Sequence, residues 1–307
     1  KKFNIFIHSP YRSGSTYLFS EFRKNKKINC FYEIYNEAIS LKNQNDLLKE
    51  NSKSWDSRHN LGNNNVIYYF SEYKDVFKKN NLIKTRQKYF KKSKKVSSIE
   101  LEYLKLLTKN NNKNVLFNTG NIDKINQLSS YFKKNIYLNI RNPFSHFLSI
   151  LNQAKNKNLY FLKHYINSRN SIILEKNTIK KNFINFTDNM LTDYINCLNN
   201  NPNLYIIYYD NLNKITYRKK ISQHFFKIYD LKVNFKNFKQ ENLKNVLKFV
   251  DKELIKKLNK IFEKKILKYK KHELFLLNLK IFTFEKIIEN SLENNKNSLL
   301  VNLFKIK

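Results

Sequence analysis

A short segment near the start of the chain, Ser9-Pro-Tyr-Arg-Ser-Gly-Ser-Thr16, is crowded with hydroxyl groups and carries one cation. Arg12 bears a permanent positive charge, and Gly14 is one of only three glycines among 307 residues. A glycine at such a place lets the backbone approach a ligand closely or take a positive φ. Hydroxyl donors accompany them at Ser13, Ser15 and Thr16. This chemistry suits an anion, so the segment predicts a phosphate- or sulfate-binding loop; the alternative is a plain turn between a strand and a helix.

A second pairing of a cation with a hydroxyl lies further along, in the segment that runs from Ile140 to Ser149. Pro143 favours the first turn of a helix, which places Arg141 at the end of the preceding strand. Ser149 follows Arg141 by eight residues, about two helical turns, and so returns toward the same side. An arginine and a hydroxyl that converge in this way form a second phosphate site. The alternative is an ordinary junction with Arg141 in solvent.

Strands and helices that alternate along the chain are expected to position these groups. Strand-like runs are predicted over 3–7, 28–35, 115–117, 136–140 and 204–209, and helical patterns over 17–24, 99–109, 122–132, 155–200, 217–229, 243–262 and 274–292. The alternation predicts an α/β fold: a P-loop-type parallel β-sheet flanked by helices, with a helical C-terminal region. Ligands of such sheets bind at the carboxyl ends of strands, and the open N–H groups and dipole of a helix N-terminus favour anions.

The chain contains no linker rich in glycine, serine or proline that would separate two domains. We therefore expect one domain over residues 1–307. Its motifs occupy about 1–230, and a lysine-rich helical part occupies about 231–307.

The first segment is not a Walker A loop, which requires G-x-x-x-x-G-K-[ST]. It resembles instead the 5′-phosphosulfate loop of the sulfotransferases, which transfer a sulfuryl group from 3′-phosphoadenosine 5′-phosphosulfate (PAPS). Arg12 stands where cytosolic members usually have lysine and where carbohydrate and many bacterial members have arginine. Arg141-x-Pro143 with Ser149 resembles the family's 3′-phosphate motif, and Tyr209-Asp210-x-Leu212 resembles the end of its late strand. The resemblance covers about residues 3–37 and 113–229.

The resemblance implies a sulfotransferase that acts on a hydroxyl acceptor, a glycan or glycolipid by analogy. Residues 12–16 would bind the 5′-phosphosulfate, with Arg12 also catalytic, and Arg141 and Ser149 would bind the 3′-phosphate. No metal is expected. The family's C-terminal R-K-G stretch, which helps to bind the 3′-phosphate, is absent. Either Arg141 and Ser149 are enough to bind this phosphate, or a lysine elsewhere in the chain takes the place of the stretch.

The catalytic base is expected to be a glutamate, as in several carbohydrate and bacterial members of the family. Glu33 lies in F-Y-E-I-Y-N-E, a segment similar to the Y-E-P-x-x-E of bacterial members, and is the first candidate. Glu37 is the second candidate. His59, in a polar segment over 42–65 that is expected to be irregular, is the third. A surface or helix-capping role for Glu33 is the alternative.

The net charge of +35 favours an acidic partner, but heavy use of Lys, Asn, Ile, Tyr and Phe also fits an AT-rich coding bias. Two functions are therefore kept as alternatives: another phosphate-loop transferase, such as a small-molecule kinase, and a basic nucleic-acid-binding protein. Among partners we expect the hydroxyl acceptor and no specific nucleic acid; peripheral membrane contact and the oligomeric state are left open. Two cysteines and no long apolar run predict a cytoplasmic protein with buried thiols, with an anchor preceding Lys1 left open.

Overall fold

The computed structural model describes residues 2–36, 38–39, 42, 44–51, 68–78, 96–109, 113–155, 176–236, 238, 241, 243–247 and 250–279. Two of the three candidate bases, Glu37 and His59, lie outside these residues, as does most of the polar segment over 42–65. Its described part includes a short helix over 44–49, so the expectation of a wholly irregular segment was wrong there.

Five strands form a parallel sheet in the described part of the chain. They are β1 (Asn4–Ser9), β2 (Ile28–Phe31), β3 (Lys113–Thr119), β4 (Ile136–Ile140) and β5 (Tyr205–Tyr208). Their order is β2-β3-β1-β4-β5, which puts β1 at the centre. In the register of β1 with β3, Asn4 lies opposite Asn114 and Ser9 opposite Thr119. The predicted α/β fold with a parallel sheet is therefore confirmed.

Helices occupy most of the remaining described residues. They are α1 (Ser15–Arg23), α2 (Gln44–Lys49), α3 (Tyr73–Lys78), α4 (Ser98–Thr108), α5 (Asp123–Phe132), α6 (Pro143–Lys155), α7 (Lys176–Asn200), α8 (Ile215–Tyr229), α9 (Lys244–Leu247) and α10 (Lys252–Lys268). Short 3-10 turns cover Tyr209–Asn213 and Lys270–His272, and residues 273–279 are helical.

The packing divides into two compact units. The first unit contains residues up to Ile140 together with Asn200–Ile207 and Asn211–Phe238; the second contains Arg141–Asn199, Tyr208–Asp210 and the described residues from 241 onward. The single domain over 1–307 stays a prediction.

Aromatic side chains fix which helices cover each face of the sheet in the first unit. Phe117 of β3 packs edge-on against Phe22 of α1, with ring centroids 5.6 Å apart, and Tyr137 of β4 packs against Phe225 of α8 at 5.0 Å. On the other face, the ring of Phe6 in β1 stacks on Phe132 of α5 at 5.1 Å. Helices therefore lie on both faces, and the buried strands read as nearly continuous apolar runs, as parallel sheets require.

The core of the second unit is helical. Apolar side chains of α6, α7, α9 and α10 pack together, among them Phe147, Phe183, Val246 and Leu258. The helix predicted over 243–262 is not continuous, because Val250 and Asp251 are not helical and α10 begins only at Lys252. The Asp251 carboxylate accepts a hydrogen bond from the N–H of Leu254, 2.9 Å away, and so caps a new helix at this point.

Among the residues described, no helix combines the length and the apolar character that crossing a membrane requires. Cys30 and Cys197 are both buried, as predicted.

Candidate anion-binding and catalytic site

The first unit places residues 10–14 between the carboxyl end of β1 and the start of α1. Gly14 occupies the N-cap of α1 in the left-handed conformation, with φ 79° and ψ 24°, and no side chain among the described residues caps the helix. The first helical hydrogen bond runs from the N–H of Leu18 to the carbonyl of Gly14 at 3.2 Å. The N–H groups of residues 15–17 therefore precede the intrahelical ladder and are oriented toward an incoming acceptor.

The side chain of Ser13 is fully buried in this loop, and its Oγ has no hydrogen-bond partner within the described ranges. A buried hydroxyl without a partner is uncommon, because it carries the cost of desolvation without compensation. Asn139 of β4 holds the loop from below by donating through Nδ2 to Ser9 Oγ at 3.1 Å and to the carbonyl oxygen of Ser13. The backbone of the loop is thus held by hydrogen bonds, whereas the Ser13 hydroxyl has none among the described residues.

Arg12 also takes a left-handed conformation, with φ 66°, and is partly buried. A non-glycine residue in this region costs roughly 1–3 kcal/mol, and such residues cluster at functional sites. The loop therefore contains two left-handed residues within three positions, and one of them carries the fixed cation.

Glu33 lies at the carboxyl edge of the same sheet, just after β2. Its Oε1 accepts a hydrogen bond from Thr119 Oγ1 at 2.8 Å, and its Oε2 accepts one from the side chain of Asn36. Thr119 is the last residue of β3 and lies opposite Ser9, the last residue of β1 before the loop. The Glu33 backbone has φ 44°, so Glu33 is the second non-glycine residue after Arg12 with a positive φ in this region.

Tyr32 connects Glu33 to the loop. Its hydroxyl lies 2.8 Å from Thr16 Oγ1 in the first turn of α1, and the ring is buried. Burial raises the pKa of Glu33, and hydrogen bonds from Asn36, Thr119 and Tyr32 only partly oppose this shift. A raised pKa is one of the properties that a carboxylate needs to act as a general base near neutral pH, and Glu33 has it within this polar network.

His8 lies in β1 directly beneath the loop and is fully buried. Its Nδ1 lies 3.1 Å from Asn118 Nδ2 of β3. Burial lowers the pKa of His8 from 6.5 to about 4, so the ring is neutral at physiological pH. His8 therefore contributes no charge to the loop.

The second unit contains the other predicted pair, and the two side chains do converge. Arg141, only 2% exposed, donates from Nη1 to Glu241 Oε2 at 3.3 Å, and Ser149 Oγ donates to the same oxygen. Asn152, one turn after Ser149 on α6, donates to Glu241 Oε1 at 3.2 Å. The structure thus shows a buried cation, a hydroxyl and an amide directed at one carboxylate.

Neighbouring groups orient Arg141 independently of Glu241. Its Nε donates to Ser145 Oγ at 3.2 Å, and its guanidinium carbon lies 4.6 Å from the centroid of the Tyr209 ring. Asp210 accepts hydrogen bonds from the Asn142 N–H at 2.7 Å and from Ser145 Oγ at 2.8 Å. Asp210 therefore has a structural role at the start of α6.

Several site residues were missed by sequence reasoning. Asn139 could have been identified from the sequence, because it is an amide residue in an otherwise apolar or aromatic strand, β4. Asn152 could also have been identified, because it lies three residues beyond Ser149 on the same helix face. Tyr32 could have been found only as the neighbour of Glu33. Glu241 gave no signal, because it lies far from both motifs in an unpatterned segment.

No group of three or more His, Cys, Asp and Glu side chains suited to a metal ion occurs among the residues that the structure describes. No protein-family model matches this sequence, and no curated protein is significantly similar to it. The resemblance to the sulfotransferases therefore rests on the sequence motifs themselves.

Proposed function

We propose that this chain is a PAPS-dependent sulfotransferase that acts on a hydroxyl group of a carbohydrate or glycolipid acceptor. Residues 12–16 bind the 5′-phosphosulfate, Arg141 and Ser149 bind the 3′-phosphate, and Glu33 is the catalytic base. The P-loop character of the fold is part of the same proposal.

The observation that carries this proposal is the position of Glu33 beside the loop over residues 10–14 and the start of α1. An anion loop alone would suit any nucleotide-binding protein. Here a carboxylate whose pKa is raised by burial belongs to the residue next to Tyr32, and the Tyr32 hydroxyl lies 2.8 Å from Thr16 Oγ1 at the start of α1. Transfer to an alcohol needs such a base, because the acceptor hydroxyl must lose its proton as it attacks.

The residues present also fit the two anionic groups of PAPS. The buried hydroxyl of Ser13 and the uncapped start of α1 offer donors for one group. Arg141 and Ser149 already donate to a single anionic oxygen, which is what binding of a phosphate requires of them.

When bound, PAPS supplies the activated sulfuryl group. Arg12 and the N–H groups at the start of α1 stabilise the negative charge that develops on the leaving phosphate oxygen. Glu33 accepts the proton of the acceptor hydroxyl, and Thr119 and Asn36 keep its carboxylate oriented. Glycan specificity is inferred from Arg12 and the glutamate base by resemblance alone.

The decisive experiment is a calorimetric titration with 3′,5′-ADP, AMP and Mg²⁺-ATP on the wild-type chain and on Arg141→Ala. We expect 3′,5′-ADP to bind far more tightly than the other two and to lose this advantage in the variant. Arg218→Ala is the matched control, because it removes the same charge from α8, where the guanidinium bonds backbone carbonyls of Leu212 and Asn213.

Two results would reject the proposal. Equal or absent binding of all three nucleotides would remove the sulfotransferase function, and binding of Mg²⁺-ATP alone would favour the small-molecule kinase. If 3′,5′-ADP does bind selectively, sulfuryl transfer from PAPS to a panel of glycans and glycolipids identifies the acceptor.

A further inference from the structure

The carboxylate of Glu241 engages the donors that the proposed function assigns to a phosphate. One of its oxygens accepts from Arg141 and Ser149, and the other accepts from Asn152 at 3.2 Å. Both oxygens are therefore held by side chains of α6 and by Arg141, two residues before it. The donors thus form an anion site, and the anion that occupies it is the carboxylate of Glu241 itself.

A bound phosphate and Glu241 cannot use these donors together. Ser149 has one hydroxyl proton and donates to one acceptor at a time. Arg141 is 2% exposed, which limits the directions from which its guanidinium can be approached. Two anions on one buried cation would also repel each other in a region of low dielectric constant.

We propose that Glu241 is an internal competitor for an anion site formed by Arg141, Ser149 and Asn152, and that a phosphate group binds there by displacing the Glu241 carboxylate. The identity of the ligand, the 3′-phosphate of a nucleotide, rests on the proposed function. Asn152 is added to the site as a third donor.

The exchange is favourable for a phosphate and unfavourable for weaker anions. A phosphate monoester carries a charge of about −1.5 to −2 at pH 7 and three strong acceptor oxygens, whereas Glu241 offers one charge and two oxygens. Arg141 stays oriented after the exchange, because Ser145, the Tyr209 ring and the charge of Asp210 hold it from other directions. Glu241 thus selects for doubly charged ligands.

Internal competition lowers the apparent affinity by the fraction of molecules in which the site is open. Glu241→Gln removes the competing charge and keeps the shape of the side chain. If the site is open in roughly a tenth of the wild-type molecules, Glu241→Gln should bind 3′,5′-ADP about tenfold more tightly. Glu253→Gln on α10, an exposed glutamate paired with Lys257, is the matched control and should bind as the wild type does.

A second variant keeps the test valid if Glu241→Gln does not fold. Glu241→Asp retains the charge that pairs with Arg141 but shortens the side chain by one methylene, so it should compete less well and bind 3′,5′-ADP a few-fold more tightly. Asn152→Ala should weaken binding, because it removes a donor from the phosphate. Folding is checked for each variant by circular dichroism and thermal denaturation.

Inorganic phosphate separates this inference from the proposed function. Phosphate should raise the melting temperature of Glu241→Gln more than that of the wild type, whichever nucleotide the protein binds. A gain for phosphate without selective binding of 3′,5′-ADP would support the competitor and reject the sulfotransferase. Unchanged or weaker binding of both phosphate and 3′,5′-ADP in folded Glu241→Gln and Glu241→Asp would overturn the inference.

Discussion

Lowering the pH from 7 to 5 should destabilise this protein through His8. The ring is fully buried in β1, and burial lowers its pKa from 6.5 to about 4. The unfolded chain therefore takes up a proton at His8 below pH 6.5, while the folded chain stays neutral there down to about pH 4. Since the unfolded state binds more protons in this window, the free energy of unfolding must fall as the pH falls.

The size of the effect follows from the same shift. Each pKa unit corresponds to about 1.4 kcal/mol, so protonation of the unfolded state between pH 6.5 and pH 5 removes about 2 kcal/mol of stability. The full difference, about 3.5 kcal/mol, is reached below the folded-state pKa of about 4. No correction for solvent screening is needed, because the side chain has no exposed surface.

The assay is urea denaturation at pH 7 and pH 5 on the wild type and on His8→Gln, which keeps a polar group opposite Asn118. Carboxylates titrate in both proteins. The difference between their free energies of unfolding therefore changes with pH only through His8. The variant should be less stable than the wild type at pH 7. This difference in the free energy of unfolding should be smaller by about 2 kcal/mol at pH 5. His272→Gln is the control, because that ring is only partly buried. A gap that is constant within about 0.5 kcal/mol would refute the reasoning.

Three further predictions concern the loop, the base and the second unit. Ser13→Ala should raise the free energy of unfolding by about 1 kcal/mol in urea denaturation, because it removes a buried hydroxyl that has no partner among the described residues. The same change should weaken 3′,5′-ADP binding roughly tenfold in calorimetry. Ser9→Ala, which removes the acceptor for Asn139, should instead cost about 1 kcal/mol in urea denaturation. Glu33→Gln should lower kcat for sulfuryl transfer at least ~100-fold without weakening 3′,5′-ADP binding. The rate of the wild type should fall as the pH drops through the raised pKa of Glu33, above the usual value of about 4.3. Asp251→Ala should lower the stability by about 1 kcal/mol in thermal denaturation, since α10 loses its cap.

Local pattern was enough to predict the strands and helices that surround the motifs. The apolar run before Ser9 and the helix after Gly14 appear as β1 and α1, and α4, α5 and α8 begin and end within two residues of the helices predicted for them. In such long and strongly patterned segments, the intrinsic propensity of the residues and the burial of their apolar side chains favour the same secondary structure. The prediction of one continuous helix over 243–262 was wrong. The helical pattern of the sequence continues across Asp251, but the Asp251 side chain caps a new helix there.

The candidate site was predictable only where the chemistry follows directly after a strand. Arg141 and Ser149 share one helix junction, so helical spacing alone predicted their convergence. The link from Glu33 through Tyr32 to Thr16 depends on the arrangement of β2, β3 and α1 in three dimensions, which the sequence does not encode locally. Glu241 follows Arg141 by one hundred residues, and only the fold brings the two together.

The central position of β1 has a consequence for how the chain is made. Both of its neighbours are synthesised much later, since Ser9 pairs with Thr119 of β3, and His8 pairs with Leu138 of β4. At about 5–20 residues per second, the ribosome exposes the apolar run of Ile5, Phe6 and Ile7 for many seconds before either partner strand exists. β1 is therefore synthesised well before both of its partner strands and is enclosed only after they have been made. Chaperones that bind nascent apolar segments should contact this protein at β1.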